Sequence, residues 1–164
     1  MENFRSSVLP PSLPFIITSS TPEETQELGK RIAPLLEMGS VVALRGPLGA
    51  GKTCLIKGIA RGLGIEEEIT SPTYTIVSEY EIPNSEKYGR TITFYHIDAY
   101  RLEGNDDFSG LGGEEMVFGN GISVIEWSDR IPNFILPAAI RVDIEIQENS
   151  KRLIRIYRGE DPPL

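Results

Sequence analysis

Cysteine, histidine and tryptophan are each nearly absent, with one residue of each type in 164. With Cys54 alone, an internal disulfide and a cysteine metal cage are excluded. With His96 alone, a multi-histidine metal site is excluded as well. No apolar run approaches the roughly 18 residues that cross a membrane, so no membrane partner is expected. Basic charge is also short: 16 Lys and Arg face 24 Asp and Glu, a net charge of −8. That balance opposes sequence-independent contact with a phosphate backbone, so nucleic acid is expected to be met only indirectly. It also serves plain solubility. Residues 1–14 carry three prolines and no apolar signal core, and read as a loose N-terminal tail rather than a leader. A reducing, cytoplasmic setting is the default expectation. Internal repeats and low-complexity tracts are missing too.

What the chain does have is a complete G-x-x-x-x-G-K-[ST] octet, Gly46-Pro47-Leu48-Gly49-Ala50-Gly51-Lys52-Thr53. Gly49 and Gly51 allow a backbone turn with φ > 0, bringing N–H groups close to phosphates. Lys52 supplies a charge for the β- and γ-phosphates, and Thr53 a hydroxyl for Mg²⁺. The β-branched run 40–45 before the octet reads as a strand, and 54–60 after it as a helix. A bound phosphate would face that helix N-terminus, so nucleotide binding is the expectation.

The flanking pattern describes one domain over residues 15–158, with a C-terminal tail at 159–164. A short strand over 15–18 precedes a helix that starts at Ser19–Glu24 and closes at Gly39. Segments 75–81 and 91–97 read as an antiparallel hairpin, as do 140–146 and 153–157. Residues 104–120 are Gly-rich and acidic, with one helical turn expected near 114–118, and 122–125 is a compact buried strand. The expected class is α/β, with a parallel phosphate-loop core extended by antiparallel strands.

A phosphate loop needs an acid at the end of an apolar strand to hold the metal. Two qualify, Asp98 after 91–97 and Glu126 after 122–125. Spacing alone does not separate them: one could take the metal while the other orients or deprotonates water. Ser71-Pro72-Thr73-Tyr74 is either a γ-phosphate-sensing loop or a simple Ser-Pro turn. His96, inside an apolar strand, suits a structural role at least as well as a base. Trp127 could wall the site, stack on a base, or simply fill the core.

Four blocks in order, 46–53, 71–74, His96-Ile97-Asp98-Ala99-Tyr100-Arg101 and Ile125-Glu126-Trp127, resemble the TsaE (YjeE) family, small ATPases of bacterial tRNA threonylcarbamoyladenosine synthesis. The resemblance spans residues 15–158 and implies a P-loop NTPase-like three-layer sandwich with a mixed central sheet. It implies ATP and Mg²⁺ as ligands, with Gly49, Ala50, Gly51, Lys52, Thr53 and Cys54 around the phosphates. It implies Thr53 and Glu126 on the metal, which breaks the tie, with Asp98 near the γ-phosphate and important, with Lys52, for hydrolysis. Pro22, Asp129 and Arg152 match positions near the nucleotide, and Trp127 is kept as a further candidate nucleotide contact. The implied partner is a TsaB–TsaD heterodimer, with tRNA reached only through that complex.

Two departures stand out: Pro47 replaces a common acid, and Cys54 a frequent threonine. Neither removes a required charge. A small-molecule or nucleoside kinase is the alternative enzyme, but the lid-sized stretch 102–120 contains no Arg or Lys. A non-hydrolysing ATP-switched binding module is the third reading. Guanine recognition is disfavoured, since no N-K-x-D sequence occurs.

Overall fold

A computed structural model describes residues 12–72 and 75–164. Its seven strands form one sheet in the order β1-β7-β6-β2-β5-β4-β3. These are β1 (Phe15–Ser19), β2 (Val41–Arg45), β3 (Val77–Ile82), β4 (Ile92–Asp98), β5 (Ile122–Glu126), β6 (Ile140–Ile146) and β7 (Arg152–Tyr157). Strands β6, β2, β5 and β4 run parallel to one another in the middle of the sheet. Antiparallel strands extend both sides: β3 on β4, and β7 on β6 with β1 outermost. The expected mixed α/β sheet, with a parallel core and added antiparallel strands, is therefore present.

Helices cover both faces, which is why the central strands read as unbroken apolar runs; all five residues of β5 are buried. Alternation on β2 divides the core in two. Val42 and Leu44 meet Leu28, Ile32, Leu55 and Ile59 of helices α1 (Pro22–Ile32) and α2 (Lys52–Gly62). Val41 and Ala43 belong to the opposite cluster, with Phe108, Val117 and Phe134. Full burial of one such side chain stabilises by about 1.5–3 kcal/mol.

Helix α1 starts where its cap residues dictate: Thr21 Oγ1 accepts from Glu24 N at 3.1 Å, and Glu24 reaches back to Ser20 N at 2.6 Å. It ends earlier than the expected Gly39. Pro34 has no N–H to continue the ladder, so the chain tightens into a 3-10 turn over Ala33–Leu35. Gly39 serves instead in the entry to β2, with φ 87°, donating to Gly121 O at 2.8 Å. Helices α1 and α2 meet backbone to backbone through glycines. A Cβ on Gly58 would lie 2.0 Å from Gln26 O, and one on Gly29 2.3 Å from Leu55 O.

Two other expectations shift. Strand β3 begins at Val77 rather than residue 75, and Ile76 O accepts from Asp98 N at 2.9 Å. Residues 104–120 form two short helices, α3 (Asn105–Gly110) and α4 (Gly113–Val117), where one turn was expected. Phe108 anchors them, fully buried and edge-on to Phe134 at 4.7 Å. Among the described residues no helix is long and apolar enough to cross a membrane.

Candidate functional site

The C-terminal ends of β2, β4 and β5 lie side by side, and the side chains singled out from the sequence gather there. From β2 the chain enters the glycine loop, 46–51, and then α2. Gly49 (φ 77°) and Gly51 (φ 103°) adopt the left-handed conformation that side chains disfavour. Gly46 is needed for a different reason, since a Cβ there would lie 2.8 Å from Ile144 O. The N-terminus of α2 receives no side-chain cap hydrogen bond, which leaves its first amides facing the loop.

Lys52 folds back over this loop. Its Nζ donates to Gly46 O at 2.6 Å and Pro47 O at 2.9 Å, and lies 4.6 Å above the Trp127 ring. Burial pulls its pKa below the ordinary lysine value, while Glu126, Asp98 and Asp129 pull the other way. Thr53 Oγ1 sits 2.8 Å from Ser71 Oγ and 3.4 Å from Glu126 Oε1. The Thr53 and Glu126 oxygens are of the kind a hard divalent cation takes.

Both candidate acids arrive together. Asp98 and Glu126 are direct partners in the parallel β4–β5 register, and Ala99 N donates to Glu126 O at 3.0 Å. Asp98 Oδ1 accepts from Tyr100 N at 3.0 Å. Burial raises the Asp98 pKa above the ordinary carboxylate value, and the neighbouring Glu126 charge adds to the rise. Glu126 Oε2 lies 2.7 Å from His96 Nε2, with both side chains buried.

Trp127 carries unusual backbone for a bulky residue, φ 56° and ψ 43°. The left-handed step turns the chain sharply off β5 into a 3-10 turn over Ser128–Arg130. Ser128 Oγ ties that turn to Leu44 O at 3.3 Å. The result puts the Trp127 ring beneath the Lys52 ammonium and in tilted contact with Tyr100, ring centroids 4.9 Å apart and planes at 52°.

A second group lies on the opposite side of the loop. Arg152 Nε donates to Ala50 O and its Nη2 to Gly49 O, each at 3.1 Å. Cys54 Sγ donates to Pro22 O at 3.1 Å. These residues line a cavity of about 150 Å³ that also takes in Thr21, Gly51 and Ser150. Thus the loop separates two clusters: Pro22, Cys54 and Arg152 on one side, and Lys52, Thr53, Asp98, Glu126 and Trp127 on the other. Asp129 acts on Lys52 through charge. Ser71 reaches Thr53, while Thr73 and Tyr74 of the same segment lie outside the described residues. Sequence reasoning did not pair His96 with Glu126. No spacing signals that contact, because it exists only once β4 and β5 lie side by side in parallel register.

A glycine loop leading from a central parallel strand into a helix, with acids ending the next two strands on one side, makes this a P-loop fold. The structure resembles the crystal structure of Bacillus subtilis YdiB, with a TM-score of 0.65 and 29% identity, covering 89% of this chain and 86% of that one. The family model for threonylcarbamoyl adenosine biosynthesis protein TsaE matches residues 19–154. The tRNA threonylcarbamoyladenosine biosynthesis protein TsaE of Treponema pallidum is 41% identical over 138 residues, 84% of this chain and 96% of that protein. Its namesake from Bacillus subtilis is 36% identical over 133 residues, 81% and 78% of the two chains. The chain belongs to the TsaE family.

Proposed function

We propose that this protein is a Mg²⁺-dependent ATPase serving tRNA threonylcarbamoyladenosine modification by acting on a TsaB–TsaD heterodimer. The observation that carries the reading is the meeting of Lys52, Thr53, Asp98 and Glu126 around one glycine loop. The residues fit the ligands. Oxygen donors from Thr53 and Glu126 stand 3.4 Å apart, and a buried ammonium stands beside the loop. Magnesium, when bound, would neutralise charge on the β- and γ-phosphate oxygens.

Lys52 exchanges the carbonyls of Gly46 and Pro47 for phosphate oxygens, a charge-assisted replacement for neutral acceptors. The amides of Gly49 to Cys54 cradle the phosphates, with Gly51 left-handed to aim them. Asp98 is held through Oδ1 by the Tyr100 amide, which leaves its other oxygen to orient or deprotonate the attacking water. Its raised pKa brings it nearer to what a general base needs. On the far side, Pro22, Cys54 and Arg152 frame the cavity toward the remainder of the nucleotide. The kinase alternative needs a basic lid. Residues 102–120 instead fold as α3 and α4 around the buried Phe108 and carry no Arg or Lys. Net charge of −8 suits a subunit that leaves tRNA contact to its partners.

The test is steady-state ATP hydrolysis by the purified chain, alone and with reconstituted TsaB–TsaD, with and without tRNA. Stimulation by the pair is expected. Lys52→Ala should weaken ATP binding by about 10–100-fold, the worth of a charged hydrogen bond. Nucleotide binding with no stimulation would favour a free-standing kinase or a passive ATP-binding module.

A further inference from the structure

We infer that His96 is a positioning residue for Glu126, fixing which carboxylate oxygen remains for a divalent cation shared with Thr53. The inference rests on the proposed ATPase reading, in which Glu126 and Thr53 hold the metal. His96 lies on β4, two residues before Asp98, opposite Val124 of β5. Its side chain is 0% exposed, and Nε2 is 2.7 Å from Glu126 Oε2. A carboxylate can only accept, so the hydrogen-bond network assigns the proton to Nε2. The other ring nitrogen, Nδ1, has no hydrogen-bond partner among the described residues.

That asymmetry separates two roles for a buried histidine. An imidazole kept for packing alone has no need to spend its ring N–H on a buried carboxylate. Here Nε2, the nitrogen aimed at the site, is the one with a partner among the described residues. Meanwhile Glu126 Oε1 is turned the other way, 3.4 Å from Thr53 Oγ1. Each carboxylate oxygen therefore has its own neighbour: Oε2 faces the core and the imidazole, Oε1 the hydroxyl of the glycine-loop helix. With one oxygen tethered, rotating the carboxylate away from Thr53 costs the hydrogen bond to His96. Partners of this kind around metal-binding carboxylates typically contribute 10–100-fold in metal affinity.

The test compares His96→Gln with His96→Asn. The glutamine amide nitrogen stands where imidazole Nε2 stands and can donate to Glu126. The asparagine amide matches only the Nδ1 position and is too short. Mn²⁺ binding is measured by electron paramagnetic resonance in the presence of a non-hydrolysable ATP analogue, and analogue binding is measured separately without metal. The expected result is Mn²⁺ affinity near wild type for His96→Gln and about 10–100-fold weaker for His96→Asn, with metal-free analogue binding unchanged in both. Wild-type Mn²⁺ affinity in His96→Asn, or equal losses in the two variants, would overturn the inference. Should His96→Asn fail to fold, His96→Leu, which has no donor, takes its place: a tenfold or greater loss against His96→Gln supports the tether, and wild-type affinity sinks it. A wild-type protein that binds neither analogue nor Mn²⁺ would overturn the ATPase reading itself, a failure visible before any variant is made.

Discussion

Asp98 and Glu126 stand directly opposite one another at the ends of two adjacent parallel strands, yet their surroundings differ. Glu126 is buried and held by His96, whereas Asp98 is half-buried and, among the described residues, its carboxylate is held by the Tyr100 amide. Two like charges so close are tolerable if a cation joins them or if one carries a proton more readily. Burial raises the Asp98 pKa above the ordinary carboxylate value, and the Glu126 charge adds to the rise.

Asp98→Asn should therefore bind ATP as wild type does and lose hydrolysis by about 100-fold or more, the usual worth of a positioned base. Single-turnover hydrolysis alongside equilibrium nucleotide binding separates the two effects. Retained turnover would remove Asp98 from the chemistry. Stability should move as well. A carboxyl with a raised folded-state pKa contributes stability below its unfolded pKa, and that contribution is lost as pH rises through the folded value. Wild type should thus lose more stability than Asp98→Asn as pH climbs from acid to neutral, read as the difference in melting temperature.

Glu126→Ala should raise the Mg²⁺ requirement for hydrolysis, and an unchanged Mg²⁺ titration would move the metal role elsewhere. The same change strips His96 of its partner. Leaving a buried donor unmet costs about 1–3 kcal/mol, so the urea midpoint should fall accordingly.

Gly58→Ala should destabilise despite alanine's better helix propensity, worth about 1 kcal/mol. The added methyl would meet the Gln26 carbonyl at 2.0 Å, backbone that cannot rotate aside. Overpacking of this kind typically costs about 1–3 kcal/mol, and more where the backbone must move. Urea denaturation measures the balance. A variant as stable as wild type would mean that α1 and α2 separate freely.

Cys54 should react slowly with thiol reagents at neutral pH. Burial raises its pKa above the ordinary thiol value, against the opposing influence of Gln26 and Lys57, so little thiolate is present. The rate should climb only at pH above that of a free cysteine's transition, and ATP should slow it because Cys54 lines the cavity beside the loop. Modification at the rate of an unhindered thiol, with no protection by ATP, would place the nucleotide away from this wall.

The parts of the site legible in the sequence are those whose chemistry is local. The octet from Gly46 to Thr53 is contiguous, and its conformational demands fall on its own glycines. Asp98 and Glu126 could each be found as an acid closing an apolar run. Their adjacency could not, because it depends on β4 and β5 pairing in parallel register. His96 and Glu126 are separated by 30 residues, and Arg152 reaches Gly49 across 103. No spacing rule carries that information. Helix α1 is shorter than its apolar spacing predicts, because that spacing continues through Leu35 and Leu36 while Pro34 ends the ladder beneath it. In residues 104–120 the opposite happened: α3 and α4 are too short to show a helical period, and Phe108 gives them their place only through tertiary packing.

The turn at Trp127 gives the protein an optical property. Because the chain has a single tryptophan, and its ring lies 4.6 Å from the Lys52 ammonium, the indole emission of the whole molecule originates beside that one lysine. A nearby cation shifts and quenches indole light, so movement of Lys52 toward another acceptor changes the spectrum with no label attached and no second fluorophore of that kind to subtract.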